Sequence, residues 1–130
     1  MKENIDLSAW NNYFNDFTRR NQSRPTSLEV FGEPGVQKAE RGLPFAGISL
    51  DTNRSAPPSV EIMFGGHDAM DPHHLTHVIA DVQKITPKRG LDGRDATLEI
   101  ISGGGYRNLL CFEPCASMAV LHIVNLLGNC

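Results

Sequence analysis

Apolar residues recur at steps of three and four from Leu7 through Trp10 and Phe14 to Phe17, with Tyr13 beside them. That spacing lays them along one stripe of an amphipathic helix over 6–20, with Asp6 or Ser8 placed to cap its start. The aromatic side chains on that stripe read as a core face, because burial is what such spacing serves. Beyond the polar break at 21–25 the period changes to two. Leu28 and Val30 mark a short strand over 26–31. GEPGVQKAERG at 32–42 carries three glycines and a proline and reads as a loop. Ala46, Ile48 and Leu50 alternate with Gly47 and Ser49, predicting a second strand over 43–51. TNRSAPPS at 52–59 reads as a connection, with Pro57-Pro58 stiffening the approach to the next strand. Val60, Ile62 and Phe64 alternate with Glu61 and Met63 in a third strand, closed by Gly65-Gly66.

Two β-patterned runs, 97–101 and 106–112, flank Ser102-Gly103-Gly104-Gly105 and predict a hairpin. A glycine-rich loop cradles phosphate when it opens a helix, but here strand pattern lies on both sides. The stretch 116–127 is apolar almost all the way round. At twelve residues it is too short to cross a bilayer and predicts a buried or partner-packed C-terminal helix. His122, between Leu121 and Ile123, reads as a hydrogen-bonded histidine of that helix.

The segment 67–83 holds His67, His73, His74 and His77 and has two readings. Asp71-Pro72 can begin a helix, in which His73 and His77 stand four apart on one face and can share a divalent metal completed by His67, Asp68 or Asp71. Alternatively, β-branched Thr76, Val78 and Ile79 make 74–79 a short strand. Leu75, His77 and Ile79 then share a face, and His74, Thr76 and Val78 share the other. His73 and His77 would stand roughly 13 Å apart along it, too far to hold one ion. The strand is the reading adopted, which makes His77 a half-buried, hydrogen-bonded side chain. A curved sheet could also hold a ligand near His77 and Tyr106.

Totals narrow the function classes. At 130 residues the chain fits one domain, and its 40% hydrophobic and 21% charged residues are those of a folded protein. Net charge is -3, and no basic block suits nucleic acid. Arg19-Arg20 and Arg24 fall at a helix end, where cations stabilise the terminus. The N-terminus lacks the apolar core of a signal peptide, no membrane span is evident, and three cysteines are an odd number. A reduced cytoplasmic protein is the expectation, with Cys111 an inert buried thiol. Glu29, Glu61 and Glu99 read as the solvent face of a sheet. No nucleophile elbow, P-loop or dinucleotide fingerprint occurs.

ISLD at 48–51, VEIMFG at 60–65, HLTHVI at 74–79, DATLEI at 95–100 and NLLCF at 108–112 stand in an order that resembles a small bacterial family of unknown function. That family has a tryptophan-bearing N-terminal segment like 10–20 and an EVFG strand like Glu29 to Gly32. The resemblance spans about residues 10–112 and implies a β-like 77–79, commonly followed by proline where this chain has Ala80. It carries no activity, and the tail 113–130 departs from it.

These readings predict one α+β domain over 1–130. Its core, 26–112, is a mostly antiparallel sheet of about six strands, twisted or partly closed into a barrel, with helices at 6–20 and 116–127. The expected function is a non-enzymatic binding or protein-interaction module, homodimeric through the apolar C-terminal segment, with no cofactor, nucleic acid or membrane. The competing expectation is a metal-dependent hydrolase or metal-binding protein using His67, Asp71, His73 and His77.

Overall fold

A computed structural model of the chain describes residues 4–32, 35–52, 57–65 and 74–113, and the backbone alone over 35–41. A single turn of tighter helix, Leu7–Ala9, leads into α1, Trp10–Asn21. The apolar stripe points inward as its spacing requires: Trp10, Phe14 and Phe17 are buried, and Asn21 continues the line. No side chain caps either helical start. Instead the Trp10 indole N–H donates to the Ile5 carbonyl at 2.7 Å and pins the entry.

Among the described residues seven strands follow: β1 (Pro25–Gly32), β2 (Gly35–Asp51), β3 (Ser59–Phe64), β4 (Leu75–Ile79), β5 (Val82–Arg89), β6 (Asp95–Ser102) and β7 (Tyr106–Phe112). They form one sheet in the order β4-β3-β2-β1-β7-β6-β5, every pairing antiparallel. Two elements correct the sequence reading. The expected loop at 32–42 is largely strand, since β2 starts at Gly35 and pairs with β1 as far as Pro44. Ladder hydrogen bonds use the backbone, so a run without apolar alternation can still be held extended by its neighbour. Register shifts after Thr26 and Val30 absorb the irregular sequence. From Phe45 onward β2 turns to a different partner, β3.

The other correction is β5, which raises the strand count from six to seven. Pro87 argues against strand, and the register shift between Val82 and Lys84 hides the alternation. Proline is tolerated because, among the described residues, β5 pairs with β6 alone and is an edge. The expected C-terminal helix at 116–127, with His122, lies outside the described residues.

The sheet is not closed into a barrel. Its two edges among the described residues, β4 and β5, are nevertheless joined by Ala80 and Asp81 alone, a span of at most ~11 Å. That turn is tied down on both sides. The Gly103 N–H donates to Asp81 O and the Val82 N–H to Pro58 O, both at 2.9 Å. Asp81 takes φ 53°, and a Cβ on Gly103 would overlap its carboxylate.

Helix α1 covers one face of the sheet. Phe17, Phe45 and Phe112 meet in a ring cluster with centroids 5.5–5.6 Å apart, two of the three contacts edge-to-face. Thr18 fixes the helix position: its hydroxyl donates to Ile48 O at 3.2 Å and accepts from Ile48 N at 3.1 Å. Gly47 permits that approach, because a Cβ there would lie 3.3 Å from the Thr18 methyl. Among the described residues no helix is long and apolar enough to cross a membrane.

Candidate functional site

The histidine segment settles on its extended form where it is described. Leu75 and His77 are half-buried and Ile79 is buried, while Thr76 and Val78 are exposed on the other face. His77 pairs across to Ile62, and no helical turn occurs at 75–79. His67, Asp71 and His73 lie outside the described residues. Among the described residues no group of three histidine, cysteine or acidic side chains is placed to hold a metal. Tyr106 opens β7 and is 43% exposed. In the sheet order β3, β2 and β1 lie between its strand and that of His77.

The glutamates do not share one environment. Glu29 is 5% exposed, which corrects the expectation of a solvent face. Its strand lies inside the sheet between β2 and β7, and consecutive residues Thr26 to Glu29 are all buried. Glu61 and Glu99 are half-buried, and Glu99 accepts from Arg107 Nε at 3.0 Å. Cys111 is also corrected. It is buried but disulfide-bonded rather than a free thiol, and the other two cysteines, Cys115 and Cys130, lie outside the described residues.

The densest polar constellation among the described residues lies elsewhere, where the end of α1 meets the start of β6. Asp95 is 6% exposed and anchors it. Arg20 grips the carboxylate with two donors, Nε to Oδ2 at 2.9 Å and Nη2 to Oδ1 at 3.2 Å. Asn21 Nδ2 donates to the same Oδ2 at 2.8 Å and to Phe17 O at 2.9 Å. Arg24 Nη1 donates to Asn21 Oδ1 at 2.8 Å and Asp95 O at 2.9 Å, and its guanidinium lies 4.4 Å from the Phe112 ring centre. A planar guanidinium with a fork of donors suits both tasks.

The charges follow this geometry. Burial alone would raise the Asp95 pKa, but the hydrogen bonds from Arg20 and Asn21 and the charges of Arg20 and Arg89 hold it below the ordinary carboxylate range. The hydrogen bond to Asp95 raises the pKa of Arg20. Burial, followed by the charge of Arg94, lowers that of Arg24. Under Arg20, whose guanidinium sits 5.8 Å from its ring centre, the Tyr13 hydroxyl is buried and its proton finds no acceptor among the described residues. Burial and then the Asp95 charge push its pKa up to about 12, with Arg20 and Arg89 pulling the other way.

Two hollows flank this network. One, of about 270 Å³, is lined by Arg20, Asn21, Arg89, Gly93, Arg94 and Asp95. The other, of about 370 Å³, includes Arg24, Leu91, Asp92 and Phe112. Neither is lined by His77 or Tyr106. Sequence reasoning assigned Arg20 to the helix end and left Asp95 unremarked. The only local sign was the concentration of arginine, glycine and aspartate in RGLDGRD at 89–95.

The family model for a family of unknown function, DUF5335, matches residues 1–120 of this chain. The chain belongs to the DUF5335 family. The match takes in the helix, all seven strands and the Asp95 constellation. A search of curated proteins finds no match. Among solved structures, this DUF5335 chain is similar in fold to the Bacillus subtilis YojF protein. The TM-score is 0.51 at 12% identity, covering 89% of this chain and 98% of that one.

Proposed function

We propose that this DUF5335 protein is a non-enzymatic interaction module that pairs with a second copy of itself along β4. The observation that carries the reading is the contrast between the two edges of the open sheet. Edge strands display unpaired backbone groups, and natural proteins blunt them with proline, charge or bulges. Strand β5 has all three: Pro87, then Lys84, Lys88 and Arg89, and two register shifts against β6. Strand β4, LTHVI, contains no proline, lysine, arginine or acidic residue, and runs without a shift against β3. Val78 on its outer face is 55% exposed. Among the described residues β4 pairs with no strand but β3; such an edge suits strand addition, and two identical antiparallel edges meet about a two-fold axis. A cytoplasmic setting belongs to the same reading, with the disulfide at Cys111 the feature that argues against it.

Solution mass measured for the full chain, for a Val78→Lys variant and for a chain ending at residue 115 tests the reading. A dimeric full chain that becomes monomeric on Val78→Lys supports it. A monomeric full chain, or a dimer lost only on truncation, overturns it; the second result would assign the contact to the apolar C-terminal stretch.

A further inference from the structure

The hollow bounded by Arg20, Arg89 and Arg94 joins three parts of the chain: the end of α1, the end of β5 and the turn entering β6. Its one lining carboxylate among the described residues, Asp95, is already satisfied by Arg20 and Asn21. Arg20 and Asp95 therefore neutralise one another and form a fixed wall. Arg89 and Arg94 are left over. Arg89 Nη1 donates to Gly93 O at 3.3 Å, which holds it beside the turn. The guanidinium of Arg94 has no hydrogen bond or ion pair among the described residues.

The turn carrying these arginines is itself preset. The Gly90 N–H donates to Arg94 O at 2.8 Å and the Gly93 N–H to Gly90 O at 3.0 Å. Asp92 Oδ1 accepts from the Arg94 backbone N–H at 2.9 Å, and Asp92 lines the neighbouring hollow rather than this one. Gly93 supplies the positive φ of 82° that closes the loop. The chain as a whole carries net charge -3, yet Arg20, Arg24, Arg89 and Arg94 gather here against Asp92 and Asp95. An acidic protein with a preset cationic hollow offers bidentate donors and a local positive field to one kind of ligand, an oxyanion.

We propose that the hollow of Arg20, Arg89 and Arg94 is a binding site for a phosphate group, free or carried as a monoester. Three guanidiniums facing one carboxylate leave a net positive lining, which matches a dianion better than a single carboxylate. The forked geometry of arginine pairs with two phosphate oxygens at once. This reading is independent of pairing along β4.

Backbone amide NMR of the full chain, titrated with inorganic phosphate at constant ionic strength, tests the proposal. Saturable shifts centred on Gly93, Arg94 and Asp95 are expected. The Arg89→Gln/Arg94→Gln double variant alters two exposed side chains and should bind about tenfold more weakly or worse. Arg19→Gln, whose exposed partner is Asp16, should leave binding unchanged. A simple phosphate monoester binding more tightly than inorganic phosphate assigns the ligand to an organic phosphate, and the reverse assigns it to the free ion. Shifts that do not saturate, that persist in the double variant, or that acetate reproduces at equal concentration overturn the site.

Discussion

Arg20 and Asp95 stand 75 positions apart in the chain and meet through two hydrogen bonds, at 2.9 and 3.2 Å. The contact joins the end of α1 to the beginning of β6 and holds the helix over the sheet. Asp95 is 6% exposed and Arg20 38%, so the pair sits half in water and is worth less than a fully enclosed one. Even so, Asn21 Nδ2 donates to the same carboxylate, so replacing Asp95 strands the Arg20 and Asn21 donors together, while the Arg24 bond to the Asp95 backbone carbonyl is kept.

Asp95→Ala is expected to lower stability by about 2–3 kcal/mol, the usual cost of losing charged hydrogen bonds with partners left behind. Thermal or urea unfolding measures it. The pH dependence has a definite sign. The folded-state pKa of Asp95 is depressed, so its contribution is present above the unfolded value and disappears as pH falls through the folded one. Acid unfolding of the wild type should therefore be steeper below about pH 4 than that of Asp95→Asn.

Tyr13 makes the opposite kind of prediction. Its buried hydroxyl proton has no acceptor among the described residues, and a buried donor left unmet costs free energy. Tyr13→Phe should be neutral or stabilising, by up to about 1 kcal/mol. With a folded pKa raised to about 12 from 10.0, Tyr13 supports the fold at lower pH and loses that support as pH climbs from its unfolded value through the folded one. Ultraviolet titration should find one of the two tyrosines ionising near pH 12.

Gly47 and Thr18 should behave as a coupled pair. Gly47→Ala places a methyl 3.3 Å from Thr18 Cγ2, and moving Thr18 disturbs both of its hydrogen bonds to Ile48. A loss of about 1–2 kcal/mol is expected. Thr18→Ser removes the obstructing methyl and keeps the hydroxyl, so Gly47→Ala should cost clearly less in that background. A double-mutant cycle by chemical unfolding measures the coupling.

Cys111 predicts a thiol count. With Cys111 in a disulfide and three cysteines in the chain, denatured but unreduced protein should expose one reactive thiol rather than three. Non-reducing peptide mapping would then name the partner.

Legibility in the sequence followed the strength of local pattern. The stripe of Trp10, Phe14 and Phe17 and the alternation of Val60, Ile62 and Phe64 each match one period closely, and both elements were readable. The 102–105 turn was readable because glycine between two alternating runs has a specific meaning, and Gly104 and Gly105 do take φ of 81° and 78°. Strand over 35–42 was not, because the sequence there shows no apolar alternation and the extended backbone is paired to β1. Strand β5 was concealed by Pro87, a signal that excludes a central strand and permits an edge. The Asp95 constellation depends on Arg20 and Asn21 reaching a residue more than seventy positions away, and one sequence has no local trace of that distance. His77 was placed correctly on the half-buried face of a strand, since β-branched neighbours favoured extended backbone.

The most direct measurement is amide hydrogen exchange across Leu75–Ile79 in the wild type and in Val78→Lys at matched concentration. In an edge strand alternate amides point away from the sheet and exchange quickly unless another strand takes them. Self-pairing along β4 predicts slow exchange through the whole strand in the wild type and fast alternate amides in the variant, with β6 and β7 equally protected in both. Identical exchange at β4 in the two proteins would contradict it.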